Sequence, residues 1–241
     1  MLYSDIKKFA TLTVAYNDEK HIGGMLDTFS EFYNLVLISK PWRGEHIKFD
    51  RTEEIARKMG AEVILKDFNS QKEQRQFGLD YLKELGYEYV LMIDTDEYFT
   101  KEDIEKIIKY VNENPADMYS IKTARVYWKS WKWHFKHSGG NICFKSDSKM
   151  FGKREVSKDD KILKLPGDIV FHHFSFERSL IDMLEKAETR EYSRMSYSWL
   201  KKYWINWKPG DNYQDFIIEE TKDIPPEILG IYIKSINMLY L

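Results

Sequence analysis

Cysteine and proline are scarce in this chain, and long hydrophobic runs are missing. Its 241 residues include one cysteine, Cys143, and six prolines. A single cysteine excludes an intramolecular disulfide framework and points to a reducing compartment. In Asn141-Ile142-Cys143-Phe144 it reads as a small buried apolar residue. No stretch approaches the roughly 18 apolar residues that span a bilayer. Met1 to Phe9 sets Asp5 beside Lys7 and Lys8 with no apolar run, which is not the pattern of a signal peptide. Charge of one sign is also missing. The 37 Lys and Arg against 39 Asp and Glu leave a net charge of -2, without the basic excess of a nucleic-acid binder.

Aromatic residues are abundant, at 15%, with seven tryptophans concentrated in the second half. Hydrophobic residues make up 43% and charged residues 32%, the balance of a soluble chain with its own core. The length fits one generous domain or one domain with an extension.

The first half alternates strand and helix patterns. Phe9 to Ala15, Leu35 to Ser39, Glu62 to Leu65 and Tyr89 to Ile93 are near-continuous apolar runs, as in strands buried on both faces of a parallel sheet. Asp50-Arg51-Thr52-Glu53 and Ser70-Gln71-Lys72-Glu73 resemble capping boxes that open helices. Gly86 closes the second of these helices. Thr100 caps a further helix with Ile104, Ile107, Ile108 and Val111 on one stripe. This order predicts an α/β domain around a mostly parallel sheet. In the second half, Met118 to Trp128, Asn141 to Phe144, Lys149 to Phe151 and Asp168 to Phe174 are strand candidates, and the pattern turns helical from Ser179. The expected division is a core of 1–178 and a helical C-terminal extension of 179–241.

Asp94-Thr95-Asp96-Glu97 follows the apolar strand YVLMI directly. Ligands of open α/β sheets bind outside the carboxyl ends of the strands. In extended backbone, residues i and i+2 share a face, so Asp94 and Asp96 are expected together and Glu97 elsewhere, tolerant of change. Two convergent carboxylates form a hard-oxygen site for Mn²⁺ or Mg²⁺ with substrate phosphates.

Three segments together resemble family 2 glycosyltransferases of the GT-A fold. They are Leu12-Thr13-Val14-Ala15-Tyr16-Asn17-Asp18-Glu19, Gln74-Arg75-Gln76-Phe77-Gly78-Leu79 and Met92-Ile93-Asp94-Thr95-Asp96-Glu97. They match the family's strand-one turn, its Arg-Asn-x-Gly helix with Gln76 in place of Asn, and its D-x-D strand end. The resemblance implies a GT-A-like, Rossmann-related mostly parallel sheet flanked by helices. It implies transfer of a sugar from a nucleotide-diphosphate sugar to an acceptor that is a glycan, lipid-linked or a small molecule. The implied enzyme is hexosyltransferase-like and inverting, with a retaining mechanism still open. Ala15, Tyr16, Asn17, Ser39, Arg75 and Asp94 are the implied nucleotide-sugar contacts, with Asp94 and Asp96 on the metal. The end of the second strand departs from the family in Ser39-Lys40-Pro41-Trp42-Arg43-Gly44, where acidic residues that read the base are replaced. Trp42 there could stack on a base or sugar.

Phe171-His172-His173-Phe174 resembles the late histidine of GT-A enzymes. Because neighbouring strand residues face opposite sides, one histidine is expected at the metal, and His173 is the choice. Arg178 follows as a partner for the diphosphate. Trp128, Trp131 and Trp133, spaced with lysines, are expected to form an acceptor platform. The same Lys-Trp pattern fits peripheral contact with a membrane surface, so the expected location is the cytoplasm, including the inner membrane face. An inverting transfer needs a general base. The candidates are Asp147, Glu155, Asp159, Asp160 and Asp168, and the sequence does not select among them, although Glu155 and Asp168 are carried forward. Two other classes share the pattern: a sugar nucleotidyltransferase, and a non-catalytic carbohydrate-binding protein on the same fold.

Overall fold

The computed structural model describes residues 6–41, 48–157, 159–189, 196–211, 213 and 217–237. The chain begins β1 (Phe9–Ala15), α1 (Glu19–Thr28), β2 (Tyr33–Ile38), α2 (Thr52–Lys58), β3 (Glu62–Leu65) and α3 (Gln71–Glu84). It continues through β4 (Tyr89–Met92), β5 (Glu97–Tyr98), α4 (Lys101–Glu113), β6 (Met118–Ser120), β7 (Thr123–Trp128) and β8 (Ser130–Ser138). It ends with β9 (Asn141–Lys145), β10 (Ile162–Lys164), β11 (Val170–Phe176), α5 (Leu180–Thr189), β12 (Glu219–Glu220) and α6 (Pro226–Asn237). A π-helical segment, Leu200–Ile205, precedes β12. None of the described helices is long and apolar enough to cross a membrane.

The larger sheet has the order β10-β6-β9-β4-β1-β2-β3. β4, β1, β2 and β3 are mutually parallel, and β9 runs antiparallel between β4 and β6. Three of the four apolar runs of the first half, β1, β2 and β4, are therefore buried centre strands, β1 on every residue, while β3 closes the sheet as a partly exposed edge. The chain passes from β1 outward to β2 and β3, then returns across the sheet to β4. That reversal opens a crevice beyond the carboxyl ends of β1 and β4.

Local signals hold where side chains satisfy backbone donors. Ser70 Oγ accepts from Glu73 N at 3.1 Å, and Thr100 Oγ1 from Asp103 N at 3.1 Å. Ile104, Ile107, Ile108 and Val111 are buried, each contributing about 1.5–3 kcal/mol of apolar burial. Gly86 has φ 90, the left-handed closure of a helix. Gly78 has a different reason. A Cβ there would lie 2.4 Å from Leu12 Cδ1 on β1, so only glycine lets α3 lie this close to the strand.

The second half departs from its sequence pattern. Met118 to Trp128 is two strands in two sheets, and Lys149 to Phe151 forms no strand. The smaller sheet has the order β12-β8-β7-β11-β5. β5 pairs antiparallel with β11, setting His173 opposite Glu97 and His172 opposite Tyr98. The residues after 178 join the same hydrophobic cluster as the first strand, through Met183, Leu200, Trp204, Ile228 and Tyr232. α6 packs on α1, where Ser235 Oγ accepts from Gly24 N at 3.0 Å.

His172 is buried in the smaller sheet, with Nδ1 2.7 Å from the Tyr127 hydroxyl. Burial first, then the charge of Arg125, lowers it to about 3. An unfolded histidine takes up a proton near pH ~6.5 and the folded one does not. Stability is thus fully present above about 6.5 and falls as the pH drops below it, by up to about 1.4 kcal/mol per pH unit. His172→Gln should flatten the stability profile between pH ~6.5 and ~5 by one proton, read from urea midpoints. An unaltered slope would mean that His172 is charged in the folded protein.

Candidate active site

Three strand ends build the crevice. β1 runs into Tyr16, Asn17 and Asp18. Asn17 has φ 48, left-handed backbone that asparagine tolerates better than most residues. Its Nδ2 donates to Lys48 O at 3.0 Å and to Glu185 Oε1 at 2.7 Å, and its Oδ1 accepts from Asp50 N at 3.1 Å. At the end of β2, Ser39 Oγ accepts from Phe68 N at 3.2 Å. β4 leads to Asp94. α3 carries Arg75 one turn before Gly78, so the close approach at Leu12 aims Arg75 at the same strand ends. Between these elements lies a cavity of about 430 Å³.

The floor of the cavity is an alternating set of acids and bases. Asp94 Oδ1 lies 2.7 Å from Arg75 and 2.9 Å from Arg154. Glu97 receives both terminal nitrogens of Arg154, at 3.0 and 2.9 Å, and accepts from Asp94 N at 2.9 Å. Asp96 lies 2.9 Å from Arg178, 3.1 Å from Lys186 and 3.2 Å from His173. Arg178 also reaches Asp18 at 2.8 Å. Lys186 donates to Ser175 O at 2.9 Å and Oγ at 2.8 Å.

This corrects the reading of the acidic run. Residues 94–97 close a turn, with Glu97 N donating to Asp94 O at 3.0 Å, so strand alternation does not govern them. Glu97 is 3% exposed and belongs to the cluster instead of pointing away.

The charges shift one another. Burial alone would raise the Asp94 carboxyl, but Arg154 and Arg75 outweigh it and hold it below the usual range. Burial is likewise outweighed at Asp96, by Lys186, His173 and Arg178, which keep it well below that range. Arg178 is raised, because Asp18 and Asp96 overcome its burial.

The family implies a divalent metal on Asp94, Asp96 and His173. The donor set does not fit one. Among the described residues, no three His, Cys, Asp or Glu side chains come together to hold an ion. The oxygens of Asp94 and Asp96 face four cationic side chains at ion-pair distance. A hard cation needs free oxygen ligands, and neighbouring positive charges repel it.

Ala15, Tyr16, Asn17, Ser39, Arg75, Asp94, Asp96, Glu155, His173 and Arg178 all line the cavity. Trp42 lies outside the described residues. His173 reaches the cavity because its register partner on β5 is Glu97, whereas His172 faces the core. Trp128, Trp131 and Trp133 do not reach it. Trp128 is fully buried, Trp131 packs on the core, and Trp133 meets Trp207 edge-on at 5.5 Å. An acceptor platform cannot be made from Trp128, whose faces are covered. Asp168 is exposed, outside the cavity, and paired with Lys106 at 2.7 Å. Asp147 pairs with Lys145 at 3.5 Å, and Asp159 and Asp160 do not line the cavity. Sequence reasoning missed Arg154, Glu185 and Lys186. Lys186 had a signal: it sits three residues after Met183 on the buried stripe of α5. Arg154 sits in an irregular loop and had none.

Comparisons with known proteins find several distant likenesses. The chain is similar to residues 1–349 of TarS from S. aureus, with 17% identity, 69% of this chain and 60% of that one covered, and a TM-score of 0.47. It is similar to the mannosyltransferase PcManGT from Pyrobaculum calidifontis, solved with GDP-Man and Mn²⁺, at 12% identity, 75% and 61% coverage and a TM-score of 0.49. A third likeness is to 4-diphosphocytidyl-2C-methyl-D-erythritol synthase from Anaerococcus prevotii, at 14% identity, 76% and 96% coverage and a TM-score of 0.46. The chain thus spans about 60% of the length of the first two. No curated protein matches it. The sequence profile described as Glycosyl transferase family 2 matches residues 49–184, from the loop before α2 through the acidic run and the first turn of α5. That match covers more than half of the chain, and the protein belongs to glycosyl transferase family 2.

Proposed function

We propose that the protein transfers a sugar from a nucleoside-diphosphate sugar to an acceptor hydroxyl. The observation that carries this is the cavity at the β1–β4 crevice, where Arg75, Arg154, Arg178 and Lys186 gather at the strand ends of a family 2 glycosyltransferase. Tyr16, Asn17 and Ser39 hold the nucleoside end, and the cationic side chains receive the diphosphate. Residues 1–178 supply the donor site, and the segment from 179 adds Glu185 and Lys186 to its wall.

The chemistry is a single displacement with inversion. The anomeric C–O bond to the diphosphate breaks, and its electron pair leaves on the phosphate oxygen. The acceptor oxygen bonds to the anomeric carbon, and its proton passes to the Glu155 carboxylate, which is exposed within the cavity. The cations stabilise the charge that builds on the departing phosphate.

The test is a thermal-shift panel of UDP, GDP, CDP and TDP, followed by hydrolysis of the matching nucleotide-sugar. A ligand at a hundred times its Kd adds about 2.7 kcal/mol to the native state and should raise Tm by several degrees. No shift with any of the four, or release of pyrophosphate from a nucleoside triphosphate and a sugar phosphate, would replace this reading with another.

A further inference from the structure

The acids of the cavity floor are matched by cations. Arg75 and Arg154 hold Asp94, Arg154 also holds Glu97, and Arg178 and Lys186 hold Asp96. A divalent ion between Asp94 and Asp96 would have to displace these groups or lie against them. A second observation concerns the guanidinium groups. Arg75, Arg154 and Arg178 each line the cavity and each keep a buried Nε with no hydrogen-bond partner among the described residues. Buried donors left unmade are costly, and phosphate oxygens are the acceptors that guanidinium groups bind best.

We propose that Arg75, Arg154, Arg178 and Lys186 take the donor diphosphate directly, with no divalent ion between. Asp94 and Asp96 are then positioning residues that hold those cations in place. This rests on the reading of the donor as a nucleoside-diphosphate sugar. A metal supplies positive charge where the leaving group forms, and four cations held there by Asp18, Asp94, Asp96 and Glu97 offer fixed donors at the same place. Lys186 is central because Asp96 and Ser175 hold its Nζ in place, so its charge is already positioned and only one of these hydrogen bonds has to pass to a phosphate oxygen.

The experiment measures Kd for UDP and GDP by calorimetry with the full chain, once in excess EDTA and once with Mn²⁺. The expected result is a Kd in EDTA within about twofold of that with Mn²⁺. Lys186→Met should weaken binding by about tenfold or more, and Lys186→Arg should restore most of it. Nucleotide binding by the native protein that needs Mn²⁺ by about tenfold or more would overturn the metal-free site and leave the donor reading standing. Absence of binding under both conditions would overturn the donor reading and this inference with it. The EDTA comparison uses the native protein, so it decides the matter even if Lys186→Met fails to fold.

Discussion

Arg154→Met should destabilise the protein by about 3 kcal/mol and abolish nucleoside diphosphate binding. Arg154 is 14% exposed at its side chain and serves two acids, Asp94 and Glu97, the latter 4% exposed. Removing the guanidinium leaves Glu97 buried with its charge uncompensated and leaves Asp94 to Arg75 alone. A buried charge without its partner costs far more than the pair itself contributes. The control is Arg125→Met, which breaks a pair with Asp223, 73% exposed, and should cost about 1 kcal/mol or less. Urea midpoints for both variants make the comparison. Equal losses would show that the Arg154 cluster is open to solvent and contributes no more than a surface pair.

Glu155→Gln should lower kcat for donor hydrolysis by about 10²- to 10⁴-fold while the nucleotide Kd stays within about twofold. The amide keeps the size of the side chain and removes the proton acceptor. Glu155 lines the cavity and, unlike Asp94, Asp96 and Glu97, is not held by one of the buried cations. Asp168→Asn serves as the comparison, since Asp168 lies outside the cavity against Lys106, and it should react at the native rate. An unchanged kcat for Glu155→Gln would remove Glu155 from the reaction and pass the role to Asp182 or Glu185, which also line the cavity.

The strands of the first half were legible because strands buried on both faces are near-continuously apolar, as in FATLTVA, where only the small Thr11 and Thr13 interrupt the run. The caps at Ser70 and Thr100 were legible for a similar reason, since each is a bond between residues three apart. Met118 to Trp128 reads as one strand because both pieces are apolar, and nothing local says that Ile121 and Lys122 carry the chain from one sheet to another. The tryptophans of β7 and β8 read as a sugar platform on composition alone. Burial takes Trp128 out of it, and burial depends on what covers a side chain.

The same division runs through the site. The sequence by itself determined that a site lies beyond the carboxyl ends of buried strands, because the acidic run follows an apolar run directly; which strand ends meet at the crevice is set by the sheet order. It placed Asp94 and Asp96 at a strand end by their distance from the apolar run, and the family resemblance added Tyr16 and Arg75. The partners of the two aspartates were decided only by the tertiary structure. Arg154 arrives from a loop after β9, Arg178 from the segment between β11 and α5, and Lys186 from α5, at sequence separations of 57 to 90 residues from the acids they hold. An acidic pair at a strand end has the same local pattern whether it meets a metal ion or a set of cations. The difference lies in which distant charges the packed chain brings within about 3 Å, and electrostatic energy depends on that distance and not on separation along the chain.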